Sequence, residues 1–263
     1  MNSYGYKLYK RNLFINNILV IFCQILILVF IIGIWQILAN KEVINTFIMS
    51  SPKKIVDTIV SLHNSGDLYN HIFITIFETV ISFILGSLIG TVIAIILWWN
   101  GFLYKVFDPY LTIINSLPKV ALGPIIIIIS GANIKSIILM SLLISVIITI
   151  IGVYNGFANT DKSKINLLKS FKATKLQILK YVILPNSYMT IISSMKINIS
   201  MSLIGVIMGE FLVSKEGIGY LIMYGSQVFN LNLVISGIII LMIVSYVMYL
   251  VVSMLEKILI KNK

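Results

Sequence analysis

The sequence predicts an all-α polytopic membrane protein with about six transmembrane helices and a cytoplasmic helix between the fourth and the fifth. Three observations lead to this prediction. Of the 263 residues, 59% are hydrophobic and only 11% are charged, and the mean hydropathy is +1.01. Apolar runs long enough to cross a bilayer recur along the chain. One interior segment, residues 165–185, is instead both helix-patterned and rich in lysine. This composition excludes an ordinary soluble domain.

The chain begins with a basic segment, MNSYGYKLYKRN, and a first span from Leu13 to Leu38. This apolar run is too long for the core of a signal peptide and lacks a clear small-residue cleavage site, so we interpret it as a retained anchor. Residues 40–70 are mixed in character and are expected outside the membrane. They include a short amphipathic helix that Ser65 and Gly66 should close.

Five further spans are expected, at residues 71–99, 103–130, 136–157, 188–213 and 233–259. The third of the six spans is broken by Pro109, Pro118 and Pro124. Prolines at membrane depth free backbone carbonyls that protein or water must satisfy. Such a helix is therefore expected to line a space within the protein rather than to face lipid alone. The glycine-rich segment EGIGYLIMYGSQ, between the last two spans, is expected to be a connection.

The lysine-rich stretch from Ile165 to Pro185 predicts a single amphipathic helix. Its apolar residues recur at helical spacing between the lysines. They are Leu168, Phe171, Leu176, Leu179 and Val182. A basic amphipathic helix between two spans is expected at the cytoplasmic surface, against lipid headgroups or a partner protein.

The positions of the positive residues predict that both termini are cytoplasmic. Six spans with the N-terminus inside place 13 lysines and arginines on the inner side and 5 on the outer side, with Lys119 and Lys196 within the membrane. This bias agrees with the positive-inside rule. Because the positive residues lie mostly at the ends of apolar runs, the net charge of +11 does not indicate nucleic-acid binding.

Catalytic motifs are missing from the sequence. It contains no H-E-x-x-H, no G-x-S-x-G and no phosphate-binding G-x-x-x-x-G-K-[ST], so nothing in it would hydrolyse ATP. Two histidines, His63 and His71, and one cysteine are too few for an expected metal site. Cys23 cannot form an intramolecular disulfide, and we expect it to be a core thiol.

Four ionisable residues fall within the spans, namely Glu78, Lys119, Lys196 and Glu210. A charge in hydrocarbon costs several kcal/mol unless it faces protein, water or an opposite charge. Two interpretations stay open: a polar wall of a path through the membrane, or structural pairing and snorkelling. For Glu78 and Glu210 the structural interpretation is favoured. Lys196 and Glu210 are about four helical turns apart and should lie near one face.

The segment Asn166–Pro185, NLLKSFKATKLQILKYVILP, resembles the cytoplasmic EAA loop of permease subunits from ATP-binding cassette (ABC) importers. In that loop, Glu-Ala-Ala is followed by a glycine and an Ile-Leu-Pro ending. Aligned on this ending, Asn166, Leu167 and Leu168 fall on Glu-Ala-Ala, and Lys172 falls on the glycine. Because lysine has a higher helix propensity than glycine, the helix is expected to continue through Lys172.

Other stretches are similar to the branch of this family that imports sulfonates, taurine, nitrate and thiamine precursors. They include the pattern Leu-Pro-Lys-x-Ala-Leu-x-Pro at Leu117–Pro124 and the segment GVIMGEFLVSKEGIGYLI at Gly205–Ile222. The resemblance covers about residues 50–255. It implies one permease domain, 1–263, with a tail and first span at 1–49 and a cytoplasmic coupling segment at 158–184.

The resemblance implies a type I importer permease in the bacterial plasma membrane, surrounded by lipid. It would work with separate ABC ATPase subunits, an extracytoplasmic solute-binding protein and a second permease copy. ATP would bind to the partner subunit, and this chain would need no cofactor. The residues implied to contact the ATPase are Asn166, Leu167, Leu168, Phe171, Lys172, Ala173, Leu176, Leu184 and Pro185. Those implied to line the translocation path are Pro118, Lys119, Pro124, Lys196 and Glu210.

Two other classes of function fit the sequence less well. An ion-driven secondary transporter or channel would need several acidic residues at mid-membrane, and only Glu78 and Glu210 are available. An integral membrane enzyme would need clustered histidines or aspartates, and the sequence contains no such cluster.

A small anion such as a sulfonate would suit the charges of Lys119 and Lys196.

Overall fold

The computed structural model describes residues 3–261, with side chains at 9, 13–16 and 18–258. This part of the chain is helical and contains no strand. Five helices are long and apolar enough to cross a membrane, and a sharply bent pair could make a sixth span. The first helices are α1 (Ser3–Asn40), α2 (Thr46–Met49), α3 (Pro52–Ser65), α4 (Asp67–Trp99), α5 (Gly101–Ser116), α6 (Gly123–Ser130) and α7 (Ile134–Ala158). The others are α8 (Lys162–Ser170), α9 (Lys175–Ile178), α10 (Leu184–Val213), α11 (Ile218–Gln227) and α12 (Leu231–Lys261).

The centre of the bundle is formed by α4, α7 and α10, which pack closely through small residues. A Cβ on Gly90 of α4 would lie 2.6 Å from Cβ of Thr149 on α7, and one on Gly209 of α10 would lie 2.8 Å from Cα of Ile137. Glycine at such positions allows helices to approach without side chains between them. The three helices therefore form a closely packed unit, which we call the central trio.

The short helix expected outside the membrane is confirmed as α3. Ser51 caps its start, because the Ser51 hydroxyl accepts a hydrogen bond from the Lys54 N–H at 3.3 Å. Gly66 ends it with φ of 83°, a left-handed conformation that glycine adopts at little cost. Ile55 on its inner face is buried, and its carbonyl accepts from Ser236 of α12 at 3.4 Å.

The predicted break in the third span is confirmed at Pro118 but is wrong at Pro109, which lies inside the helix α5. Helix α5 ends at Ser116, a 3₁₀ helix runs from Lys119 to Leu122, and the axis turns by 90° between the two parts. Pro118 lies at the bend, where its missing N–H and fixed φ interrupt the helix. We call residues 101–130 the bent pair.

Two expectations about the fold are wrong. The glycine-rich segment between the last spans is not only a connection, because it contains the helix α11. Cys23 is not a core thiol. It is exposed on the helix α1.

Candidate functional site

The lysine-rich region consists of two short helices rather than the single predicted one. Helix α8 ends at Ser170, and α9 begins at Lys175 after a turn. Thr174 starts α9 with a capping box, in which its hydroxyl accepts from the Gln177 N–H and the Gln177 side chain accepts from the Thr174 N–H. A capping box fixes a helix start, so the break is built into the local sequence.

Lys172 is the residue that turns the chain between α8 and α9. Its φ is 57°, in the left-handed region, where a residue with a Cβ is strained. The expectation that helix continues through Lys172 is therefore wrong, since helix propensity does not apply to a left-handed turn residue. The glycine that the resemblance places here would suit this turn without strain.

The nine residues predicted to contact an ATPase fall into two groups. Six are exposed: Asn166, Leu167, Phe171, Lys172, Leu176 and Pro185. Leu168, Ala173 and Leu184 are half-buried and pack against an apolar cluster of this chain. Among the exposed residues, Phe171 has 75% of its surface free, Leu176 62% and Leu167 59%. These three are exposed apolar side chains in a segment rich in lysine, and we call them the exposed triplet.

The apolar cluster beneath α8 and α9 joins this region to the ends of all three helices of the central trio. It contains Ala94 of α4, Val153 and Phe157 of α7, and Ile183 just before α10. In addition, the Lys175 ammonium donates to the Trp99 carbonyl, at the end of α4, at 3.2 Å. A force applied to α8 and α9 would consequently reach the central trio directly.

Helix α9 continues into α10 through a π-helical turn at Leu179–Ile183. Pro185 follows this turn, and its missing N–H removes one helical hydrogen bond. π-helical geometry is rare in proteins and occurs mostly as single turns of this kind within longer helices. It connects α9 and α10 into one continuous element.

The bent pair carries a polar strip. Thr112, Asn115 and Ser116 are exposed on α5, and Lys119 follows at the bend. The Lys119 ammonium is half-buried and donates to the Asn115 carbonyl at 2.7 Å. Of the predicted path residues, Pro118 and Pro124 also lie on the bent pair.

Lys196 and Glu210 lie elsewhere and contact different helices, so they do not form one wall with Lys119. Lys196 forms an ion pair with Glu256 of α12, and its ammonium lies 6.0 Å from the ring centre of Tyr249. This pair links α10 to α12. Glu210 is 1% exposed and points towards α4 and α11.

Glu210 caps the start of α11 together with two residues of α4. Its carboxylate accepts from the Thr75 hydroxyl at 2.6 Å and from the Gly219 N–H at 2.5 Å. The Ile218 N–H donates to the Thr75 hydroxyl at 2.8 Å, and the Gly217 N–H donates to His71 Nδ1 at 2.9 Å. Successive free N–H groups of the helix are thus satisfied by buried side chains.

Sequence reasoning missed this cap, which we call the α11 cap. His71 was considered only as one of too few residues for a metal site, and Thr75 was not singled out. Glu78, one turn further along α4, places its carboxyl group against that of Glu210. These contacts join α4, α10 and α11, and the structural interpretation of the two glutamates stays a prediction. Among the described residues, no group of three His, Cys, Asp or Glu side chains is placed to hold a metal ion.

Residues 82–261 match the family model of the binding-protein-dependent transport system inner membrane component. Because this match covers more than half of the chain, the protein belongs to that family. It is therefore an ABC importer permease subunit for small solutes, as the sequence resemblance predicted.

Relatives and solved structures agree with this assignment. A probable ABC transporter permease protein of Haemophilus influenzae is 28% identical over 86% of this chain and 91% of its own length. A putative aliphatic sulfonates transport permease protein SsuC of Bacillus subtilis is 28% identical over 88% and 84%. A formylaminopyrimidine transport permease protein ThiX of Halalkalibacterium halodurans is 24% identical over 71% and 74%.

The fold is also that of solved importers. The MetNI methionine ABC transporter in an inward-facing conformation matches with a TM-score of 0.60, over 73% of this chain and 94% of the other, at 16% identity. An amino acid ABC transporter structure with histidines gives a TM-score of 0.62, over 78% and 98%, at 15% identity. These similarities confirm the predicted all-α permease fold.

Proposed function

We propose that the exposed triplet on α8 and α9 docks onto a separate ABC ATPase subunit and transmits its movement to the membrane helices. One observation carries this proposal: the region is apolar and exposed on one side and packs against the ends of α4, α7 and α10 on the other. An exposed apolar patch with a polar rim is typical of a protein interaction site. ATP would bind to, and be hydrolysed by, the partner alone.

The translocation path, in this proposal, runs along the bent pair at the contact with a second permease copy. Thr112, Asn115, Ser116 and Lys119 form a polar strip within residues 111–129, where the other residues are apolar, proline or glycine. Polar groups at membrane depth require water or protein around them rather than lipid. A path between two copies would supply both.

The cargo proposed is a small solute with anionic character, delivered by an extracytoplasmic solute-binding protein. The relatives named for sulfonates and for formylaminopyrimidine support a small organic cargo. The ammonium of Lys119 favours a negative group. The lysine distribution supports cytoplasmic termini in the bacterial plasma membrane, with α8 and α9 on the cytoplasmic side.

Two neighbouring leucines test the docking proposal. Leu167 is 59% exposed, whereas Leu168 packs into the apolar cluster beneath. Leu167→Asp should abolish co-purification of the ATPase subunit while leaving the melting temperature of the permease unchanged. Leu168→Asp should lower the melting temperature as well, because it buries a charge.

The matched control is Phe47→Asp, an exposed apolar position of 66% accessibility on α2, at the other end of the bundle. It should co-purify normally. Undiminished ATPase recovery with Leu167→Asp would overturn the docking proposal. Solute uptake that persists after loss of the ATPase gene would instead favour the ion-driven transporter.

A further inference from the structure

Buried oxygen atoms without a protein partner are concentrated in the central trio. Within the described side chains they are Glu78 Oε2, Ser82 Oγ, Ser145 Oγ, Asn198 Oδ1 and Ser202 Oγ. All five residues belong to α4, α7 or α10, and none is more than 2% exposed. Because a buried polar group is rarely left unpaired, this concentration requires a physical explanation.

The contacts between the three helices place these five residues at neighbouring levels of the interface between α4, α7 and α10, which we call the seam. The Asn198 side-chain amide donates to Ser87 Oγ at 2.8 Å, and Thr75 donates to Glu210, so α4 and α10 are antiparallel with Ser82 opposite Ser202. Ser141 of α7 donates to the Ser202 carbonyl at 2.8 Å. Ser82, Ser141 and Ser202 therefore lie at one level of the bundle.

A second level lies one turn nearer to α8 and α9. It contains Ser145 and Asn198, with Gly86 beside them on α4. A Cβ on Gly86 would collide with the Ser145 hydroxyl, so that hydroxyl lies on the side of α7 that faces α4. Asn198 is held in the same seam by its bond to Ser87. Glu78 lies one turn beyond Ser82, towards the α11 cap.

We propose that internal water molecules bind in this seam between α4, α7 and α10. Water suits the unpartnered atoms because Asn198 Oδ1 accepts only, whereas the serine hydroxyls both donate and accept. A bound water that makes two to four such bonds is a normal part of a protein interior. The seam thus forms a hydrated line that reaches from the level of Asn198 to Glu78.

Bound water has a mechanical consequence for a transporter. A direct hydrogen bond between two helices breaks when they shift, whereas a bridging water can exchange partners at small cost. Hydration of the seam allows the helices of the central trio to move against one another without leaving their oxygens unpaired. This inference concerns the packing of the trio and does not depend on the proposed ATPase docking.

Hydroxyl-radical footprinting of the purified full-length protein in detergent tests the proposal, because radicals formed from bound water label adjacent buried side chains. Val206 lies one turn from both Ser202 and Glu210 and is 0% exposed. Val153, 1% exposed, lies in the apolar cluster beneath α8 and α9 and is the matched control. Val206 should be labelled about fivefold faster than Val153.

A double variant links the labelling to the seam. Ser82→Ala with Ser202→Ala should reduce Val206 labelling towards the rate of Val153. Ser194→Ala should leave it unchanged, since Ser194 donates to the Thr190 carbonyl of its own helix at 2.8 Å. Equal labelling of Val206 and Val153 in the unmodified protein would overturn the proposal, whether or not the variants fold.

Discussion

The central trio and the bent pair are built in opposite ways within the same chain. In the trio, Ser82, Ser141 and Ser202 are fully buried, and glycines bring the helices together. On the bent pair, Ile128 and Ile129 are 83% and 80% exposed. The trio holds polar groups inside, whereas the bent pair turns both polar and apolar groups outward.

The two regions differ in how their polar groups are satisfied, within the chain in the trio and at an exposed surface in the bent pair. In the trio, neighbouring helices fill the space beside the glycines, and most of the buried polar groups have hydrogen-bond partners within the chain. The bent pair instead exposes a polar strip, in which Thr112, Ser116 and Lys119 donate hydrogen bonds only to carbonyls of the same segment. In the function proposed above, the trio would be the frame of the permease and the bent pair would be the surface that a second copy completes.

Gly205→Ala should show the largest effect, because the added Cβ would collide with the backbone of Ser141 in the trio. Overpacking against backbone should cost about 3 kcal/mol and lower the melting temperature in detergent by several degrees. Gly101→Ala, at the start of the bent pair, has open space around its Cβ and serves as the control. Equal melting temperatures for the two variants would contradict the difference in packing between the trio and the bent pair.

Glu210→Ala should have the next largest effect, because it leaves the Gly219 N–H and the Thr75 hydroxyl without their acceptor. The expected loss is about 2 kcal/mol, together with faster hydrogen exchange at the N–H groups of the α11 cap. Glu210→Gln retains one acceptor and should recover part of this loss. The comparison variant is Asp108→Ala, an exposed acid on the bent pair. An equal loss of stability in Asp108→Ala and Glu210→Ala would contradict the stabilising role of the α11 cap.

Lys172→Gly should instead stabilise the protein slightly, since glycine relieves the strain of a φ of 57°. We expect a gain of about 1 kcal/mol, measured as a higher melting temperature. Lys169→Gly removes the same charge inside α8 and should instead lose about 1 kcal/mol. A loss of stability in both variants would show that Lys172 is helical in solution.

Local signals explain which parts of the fold could be predicted. The apolar runs, the break at Pro118 and the left-handed Gly66 each depend on nearby residues, and all three are found. The break before α9 was missed, although the capping-box spacing of Thr174 and Gln177 is a recognisable sign of a helix start.

Other features depend on residues that are distant in the sequence and could not be predicted from it. Helix α11 begins with glycines that favour a turn, and it is stabilised by His71 and Thr75, more than 140 residues earlier. The partner of Lys196 is Glu256, on another span. Neither contact leaves a local pattern in the sequence.

Cross-linking between permease copies tests the central claim most directly. In a Cys23→Ser background, Ile128→Cys on the bent pair and Met242→Cys on α12 are both exposed positions, at 83% and 58%. Treatment of membranes with a short bismaleimide should give a covalent homodimer with Ile128→Cys and none with Met242→Cys. A dimer formed only through Met242→Cys, or no dimer with either variant, would contradict the assignment of the bent pair as the contact between copies.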